Sequence, residues 1–493
     1  MIEYDFVNMP IVDIVNRIII YASQHRASDI HFDPREDCMM IRMRMDGRLK
    51  DHSKVPKMYE KNLATRVKLI SKMNITETRI PQDGAIKGIV DGKELDMRVS
   101  VLPTNEGEKI VVRLLDYTQS LDGLNTLGFA PNNYKKIERL LDIPNGIILV
   151  TGATGSGKST TTYAMLSALN TEDRNIITVE DPVEMNIEGI NQVYVNSEIG
   201  LTFANALRSI LRQDPDVILI GEIRDSETAQ IAVRAAITGH LVLSTIHTNS
   251  ALNTIERLLD MDVERYLLAT ALNGIISQKL ARTLCPDCKK KRPTTSYEKQ
   301  IFSKILGQDV KEVYEPVGCE KCNRGFRGRI ALHEVLFLTD KIRELINDEN
   351  LEKEELRKAV YDGDTTTLLQ DALQKVVDGY TTFKEIYKAV DIDFDLEKSI
   401  RKEVQKEEKE KAKQEKLEVI DLYDSKDSKV QITAKEMKKI KTKAKEDAET
   451  KYKKHPVKDN DLIDIFEDMP EEDKDKKEDK ESKRKKDKDK EKK

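Results

Sequence analysis

The sequence predicts an α/β fold: a parallel sheet with crossover helices, built around a phosphate loop. Three observations predict it. Apolar strands alternate with helical stretches between residues 132 and 280, at Ile147–Val150, Ile176–Val179, Val217–Ile220 and Leu241–Ser244, the pattern of repeated strand–helix–strand units. The run Gly152-Ala-Thr-Gly-Ser-Gly157-Lys158-Ser159 follows the first of these strands and precedes the helix-like stretch Thr160–Leu169. Val217–Ile220 runs straight into Gly221-Glu222, an apolar strand ending in a carboxylate.

The remaining elements follow in chain order. Residues 1–117 read as a smaller α+β domain. Ile11, Ile14, Val15, Ile18 and Ile19 fall on one helical face, and Met39–Met45 alternates before Asp46-Gly47, a strand entering a hairpin. Val99–Leu102 and Ile110–Leu115 also read as strands. Residues 118–131, with Gly123, Gly128 and Pro131, read as a linker. The core, 132–280, is followed by a cysteine-bearing module at 281–335 and by helices rich in Glu, Lys, Leu and Val at 336–392. Residues 393–493 form a charged tail.

Composition bounds the function. The chain has 493 residues, 35% of them charged and 5% aromatic, with no Trp. Residues 401–493 hold 31 basic and 28 acidic side chains, which leaves a net charge of −8 on the first 400. A segment so charged cannot bury enough apolar surface to offset its ordering entropy, so the tail is expected to be mostly disordered. No stretch reaches the ~18 apolar residues of a membrane span, and the N-terminus has no secretory pattern. Five Cys in such a chain do not make a disulfide framework. The mild acidity gives no case for nucleic acid as the main partner. A cytoplasmic protein is expected.

The phosphate loop matches G-x-x-x-x-G-K-[ST] in the strand–loop–helix setting that pattern needs. Successive backbone N–H groups of Gly152, Thr154, Gly155, Ser156 and Gly157 can point at phosphate oxygens. Lys158 supplies a point charge near the β- and γ-phosphates, and Ser159 a hydroxyl for Mg²⁺. Ser159 and Thr160 open the helix, whose positive dipole end faces the ligand. ATP with Mg²⁺ is the expected ligand.

Such a site needs acidic partners. A buried strand delivers Glu222 to the carboxyl edge of the sheet, beside the phosphate loop. Ile177-Thr-Val-Glu180-Asp181-Pro182-Val183-Glu184 is a second strand running into an acidic turn, so Glu180, Asp181 and Glu184 are expected near that edge. They serve Mg²⁺ or a water network, or they form a solvated turn. Gly239–Thr248 carries His240 and His247 around another apolar strand. His247 either senses a γ-phosphate or is a buried histidine bonded to a carbonyl.

Cys285-x-x-Cys288 and Cys319-x-x-Cys322 bring two thiolate pairs to the spacing of a structural Zn²⁺ site; redox-active dithiols are the alternative. Cys38 is left as a buried, inert residue. Lys289–Arg292 could meet anionic lipid or nucleic acid, or be a solvated basic loop. In the tail, Leu396, Ile400 and Val404 continue a helical face, Glu403–Glu418 suits a charged helix, and Asp461–Met469 is either a docking peptide or plain disorder.

With these residues in view, the chain resembles the ATPases of type II secretion and type IV pilus assembly, competence pilus motors included. Four boxes stand in family order: Gly152–Ser159, Ile177–Glu184, Leu211–Asp225 and Thr238–Asn249. The first domain adds Ala27–His31, Arg42–Gly47, Pro81–Gly84 and Asp96–Ser100, so the resemblance covers about residues 1–390. It implies a RecA-like core, a homohexameric ring with nucleotide between the N-terminal domain and the core, and an inner-membrane platform protein as partner. It implies Glu184 as general base, Glu222 as metal support, His247 as γ-phosphate sensor, and Arg98 and Arg113 reaching the nucleotide; solvent-facing strand-edge arginines are the alternative for the last two. Many members carry Arg after Gln-Asp-Gly where this chain has Ala85, so a third arginine is not expected. The tetracysteine module implies filament assembly; retraction motors generally lack it. A zinc-containing nucleic-acid-binding ATPase is the reading from another class. The start of the chain suggests a compact member, as in Gram-positive competence systems. Peripheral contact with an anionic inner membrane surface is a further expectation.

Overall fold

A computed structural model describes residues 1–90, 93–115, 123–350, 352–390, 392, 397–407, 409 and 410. The chain divides into units at 1–400 and 401–493, and both large sheets belong to the first. The tail features Glu403–Glu418, for the most part, and Asp461–Met469 lie outside the described residues, as do Leu396 and the linker's first half.

The first domain is a six-stranded antiparallel sheet in the order β3-β2-β1-β6-β5-β4. Its strands are β1 (Ala27–Pro34), β2 (Cys38–Met45), β3 (Arg48–Pro56), β4 (Gln82–Val90), β5 (Lys93–Thr104) and β6 (Gly107–Leu115). The hairpin at Asp46-Gly47 is present, with φ of 49° and 82° at the two turn residues, the left-handed pair a tight hairpin requires. Helix α1 (Ile11–Gln24) buries Ile14, Val15, Ile18, Ile19 and Ala22, as its spacing predicts. With α2 (Glu60–Ile70) it contributes to the core that also holds Ile30, Phe32, Ile41, Met43 and Val112. Each such side chain contributes about 1.5–3 kcal/mol by leaving water. Cys38 is buried, as expected.

One row of the sheet runs Ala85↔Arg98↔Arg113↔Asp29↔Arg44 across five strands. Register partners share a face, so three arginines and one aspartate stand together. Asp29 pairs with Arg113 at 3.0 Å and with Arg44 at 3.5 Å.

The core sheet has seven strands in the order β15-β12-β7-β11-β10-β8-β9. β7 (Gly146–Thr151), β8 (Ile176–Glu180), β9 (Asn191–Tyr194), β10 (Val217–Ile220), β11 (Leu241–Ile246) and β12 (Leu272–Leu284) are parallel, while β15 (Phe326–Phe337) pairs antiparallel with β12. Every residue of β7, β8, β10 and β11 is buried, which requires cover on both faces. The carboxyl ends of these strands therefore share one edge.

Two features differ from the sequence reading. Residues 281–335 do not stand apart from the core: β12 continues to Leu284 and β15 returns from Phe326, so the cysteine segment is an insertion between two strands of the same sheet. The insertion holds a ribbon of β13 (Lys290–Pro293) and β14 (Glu312–Glu315) and the helix Ser296–Leu306. Second, the linker's later half is packed: Leu124 is buried against the core, and Pro131 opens the helix Pro131–Leu141. The helices Asp340–Asn347 and Lys353–Tyr361 bury Ile342, Ile346, Leu356 and Val360 in the core cluster. The end of β12 is fixed by Arg282, which donates to both carboxylate oxygens of Glu385 at 2.7 and 2.5 Å and lies over the Phe326 ring.

Candidate functional site

The phosphate loop leaves β7 and enters α3 (Lys158–Leu169), with Ser159 and Thr160 in its first turn. Helix α3 is capped by Gly157 at φ +90°. A Cβ on Gly157 would lie 2.7 Å from Gln278 Nε2, and one on Gly152 would lie 2.4 Å from the Gln278 carbonyl oxygen. Gly152 therefore presses on the β12 backbone so closely that only glycine fits, and Gly157 is required chiefly by its left-handed φ. Thr154 and Gly155 are exposed, while Ser156 is buried. The Ser156 hydroxyl has no hydrogen-bond partner among the described residues.

Lys158 is buried and donates from Nζ to the carbonyl oxygens of Gly152 and Ala153, at 2.9 and 3.2 Å. Burial lowers its pKa, and nearby Glu222 opposes that shift. A loop with an orphaned hydroxyl and a buried cation resting on its own carbonyls fits a polyphosphate: the ligand would give the Ser156 hydroxyl an acceptor and Lys158 a counter-charge.

Sequence reasoning missed Gln278. It is buried on β12, donates to the Ser156 carbonyl at 2.8 Å, and accepts from the Thr161 hydroxyl at 2.7 Å. No local signal singled it out, because β12 also carries Asn273, Ser277, Lys279 and Arg282. Gln278→Leu should weaken ATP binding about five- to tenfold, since each lost hydrogen bond is worth about 0.5–1.5 kcal/mol net. Titration with a fluorescent nucleotide measures it; an unchanged Kd would show the clamp to be idle.

Two acidic clusters flank the loop. In the first, Glu222 follows β10 and pairs with Arg224. His247 Nε2 lies 3.4 Å from Glu222 Oε2, with the His247 side chain 48% exposed. The reading of His247 as a buried histidine on a carbonyl is thereby corrected. Ser244 and Thr245 donate to the carbonyl oxygens of Ile220 and Gly221, both at 2.7 Å, tying β11 to the turn that carries Glu222.

In the second cluster, Arg98 Nη2 of the N-terminal domain lies 2.7 Å from Glu184 Oε2 and donates to the Val183 carbonyl at 3.1 Å. Arg113 does not join it; Asp29 holds Arg113 one strand away. Glu180 does not line the phosphate site either. It is buried and accepts from Tyr163 Oη at 2.5 Å, Thr178 Oγ1 at 2.6 Å and Gln192 Nε2 at 3.2 Å. Asp181 is exposed.

Cys285, Cys288, Cys319 and Cys322 converge, their sulfur atoms within 4.8 Å of one another. The closest pairs are 3.6 Å (Cys319–Cys322), 3.7 Å (Cys288–Cys322) and 3.9 Å (Cys285–Cys319). A tetrahedral ion with metal–sulfur bonds of about 2.3 Å needs edges of about 3.8 Å, so four thiolates placed thus fit Zn²⁺. The basic run next to Cys288 is engaged within the fold. Lys289 donates to the Gly379 carbonyl and lies over the Tyr314 ring, Lys291 pairs with Glu312, and Arg292 is bidentate on Glu298. Lys290 and Lys291 are exposed. No helix among the described residues is long and apolar enough to cross a membrane.

Residues 7–388 match the family model described as "Type II/IV secretion system protein". The chain is 48% identical over 379 residues to the type II secretion system protein E of Dickeya dadantii, covering 76% of this chain and 75% of that one. It is 46% identical over 381 residues to the type IV pilus assembly ATPase PilB of Myxococcus xanthus, covering 76% and 67%. Among solved structures it is similar to the pilus retraction motor PilT with bound ADP, with a TM-score of 0.54 and 28% identity over 79% of this chain and 100% of that one. The ATPase DotB of Legionella pneumophila shares the fold, with a TM-score of 0.58 at 21% identity over 77% and 96%.

Proposed function

We infer that this chain, which belongs to the type II/IV secretion system protein family, is an ATP-hydrolysing motor that drives assembly of a type IV pilus or of a type II secretion or competence pseudopilus. One observation carries the reading. Lys158, Glu222 and Glu184 gather at the carboxyl edge of a single parallel sheet, and Arg98 of the leading domain meets Glu184 there.

The chemistry follows from those positions. Lys158 and the loop amides hold the phosphates, with Ser159 and Glu222 placed to hold Mg²⁺. Bound Mg²⁺ neutralises charge on the β- and γ-oxygens. Glu184 takes a proton as a water oxygen attacks the γ-phosphorus and the bond to the ADP oxygen breaks. Arg98 holds Glu184 in an ion pair, which ties the carboxylate to the leading domain. A γ-phosphate competes for the same guanidinium, so ATP frees the base and draws the leading domain onto the cleft. His247, beside Glu222, senses the third phosphate. Arg113, beside Arg98 on the neighbouring strand, serves the same face.

The working form is a homohexamer on the cytoplasmic face of the inner membrane, acting on a platform protein. Zn²⁺ on the four cysteines is structural, because sulfur fills its coordination shell. Assembly is preferred to retraction because the assembly relatives share 44–48% identity and the retraction motor 28%. The purified full chain should convert ATP to ADP and phosphate only with Mg²⁺, and sediment as a hexamer with nucleotide. A ring that leaves ATP intact in the presence of its platform partner would overturn the motor reading.

A further inference from the structure

Helix α3 does more than end the phosphate loop. Tyr163 lies four residues after Ser159, on the same helical face, and its ring is buried. Its hydroxyl donates to Glu180 Oε2 at 2.5 Å and accepts from the backbone N–H of Glu184 at 3.0 Å. Glu180 is held in turn by Thr178 and Gln192. Gln192 grips the far side of the same turn, donating to the Met185 carbonyl at 3.0 Å and accepting from the Ile187 amide at 2.8 Å. The turn that carries Glu184 is thus pinned at its own amide by a side chain of the phosphate-binding helix.

We propose that Tyr163 is a positioning residue for ATP hydrolysis: its hydroxyl, anchored on Glu180, sets the place of Glu184 relative to phosphates bound one turn earlier on the same helix. The proposal rests on the general-base reading of Glu184. It gives a role to Glu180, a buried carboxylate at the end of β8 that is held by three side-chain donors. Burial first, then Glu180, raises the Tyr163 pKa far above its ordinary value, so the hydroxyl stays a donor at working pH. Shifting a base by about 1 Å can cost on the order of 10²-fold in rate.

Tyr163→Phe keeps the ring and deletes only the hydroxyl. In the full chain it should lower kcat about tenfold or more with the ATP KM within twofold of the wild type. Hydrogen exchange at residues 183–187 should accelerate while β8 stays protected, a readout that survives even if turnover proves hard to measure. In a Glu184→Gln background the same substitution should lower kcat no further. A Tyr163→Phe chain with wild-type kcat, or one whose kcat loss adds in full to that of Glu184→Gln, would overturn the proposal. Wild-type turnover by Glu184→Gln alone would overturn the general-base reading instead, whatever Tyr163→Phe does.

Discussion

A Glu184→Gln chain should bind ATP with little change in affinity and hydrolyse it about 10²–10⁴-fold more slowly, the range a positioned general base contributes. The amide keeps the size of the carboxylate and a carbonyl oxygen for Arg98, so the turn and the domain contact persist. It cannot accept the proton from attacking water. Lys158→Ala offers the contrast, because it removes the buried cation at the phosphates and loses binding along with turnover. Nucleotide titration beside a phosphate-release assay separates the two. A Glu184→Gln chain within threefold of the wild-type kcat would move the base elsewhere, with Glu222 the next carboxylate to test.

Removing the metal should have the second large effect. The full chain should carry one zinc per subunit, and Cys285→Ser or a strong chelator should release it. Structural zinc sites contribute apparent binding free energies of about 10–16 kcal/mol to folding. Cys285 is fully buried at the end of β12, whereas Cys319 is exposed. Without the ion, four thiols within 4.8 Å of one another lose the ligand they share. The melting temperature should fall by about 10 °C or more, and protease should cut first within residues 286–325. A zinc-free chain with an unchanged melting curve and an uncut insertion would refute the structural role.

Local patterns made much of this molecule legible. The phosphate loop, the strand that delivers Glu222 and the turn that bears Glu184 each occupy one short run, and a parallel sheet brings such runs to one edge. Gln278 and Tyr163 were invisible for the opposite reason. Each gains its role only from strands distant in sequence, Gln278 because β12 lies beside β7 and Tyr163 because α3 packs where β8 ends. The spacing of the cysteines suggested a separate module. In fact Leu284 and Phe326 are register partners in the core sheet, a pairing that no window of sequence contains. Lys291 and Arg292 find their carboxylates only later in the chain, at Glu312 and Glu298. The linker looked open because Leu124 buries itself against residues still to come.

The long strand β12 joins two places that need not have met. Its middle grips the nucleotide loop through Gln278, and its far end leads directly into Cys285, seven residues or about 23 Å onward. On one side it is sewn to β7, on the other to β15, and Arg282 bolts its tip to Glu385. The hairpin tip of the leading domain also reaches this region, where Asp46 Oδ1 accepts from the Gly328 amide at 3.1 Å. One strand thus spans the distance between the phosphate loop and the thiol knuckle, paired along that length with β15 and interrupted by one register shift between Arg282 and Leu284.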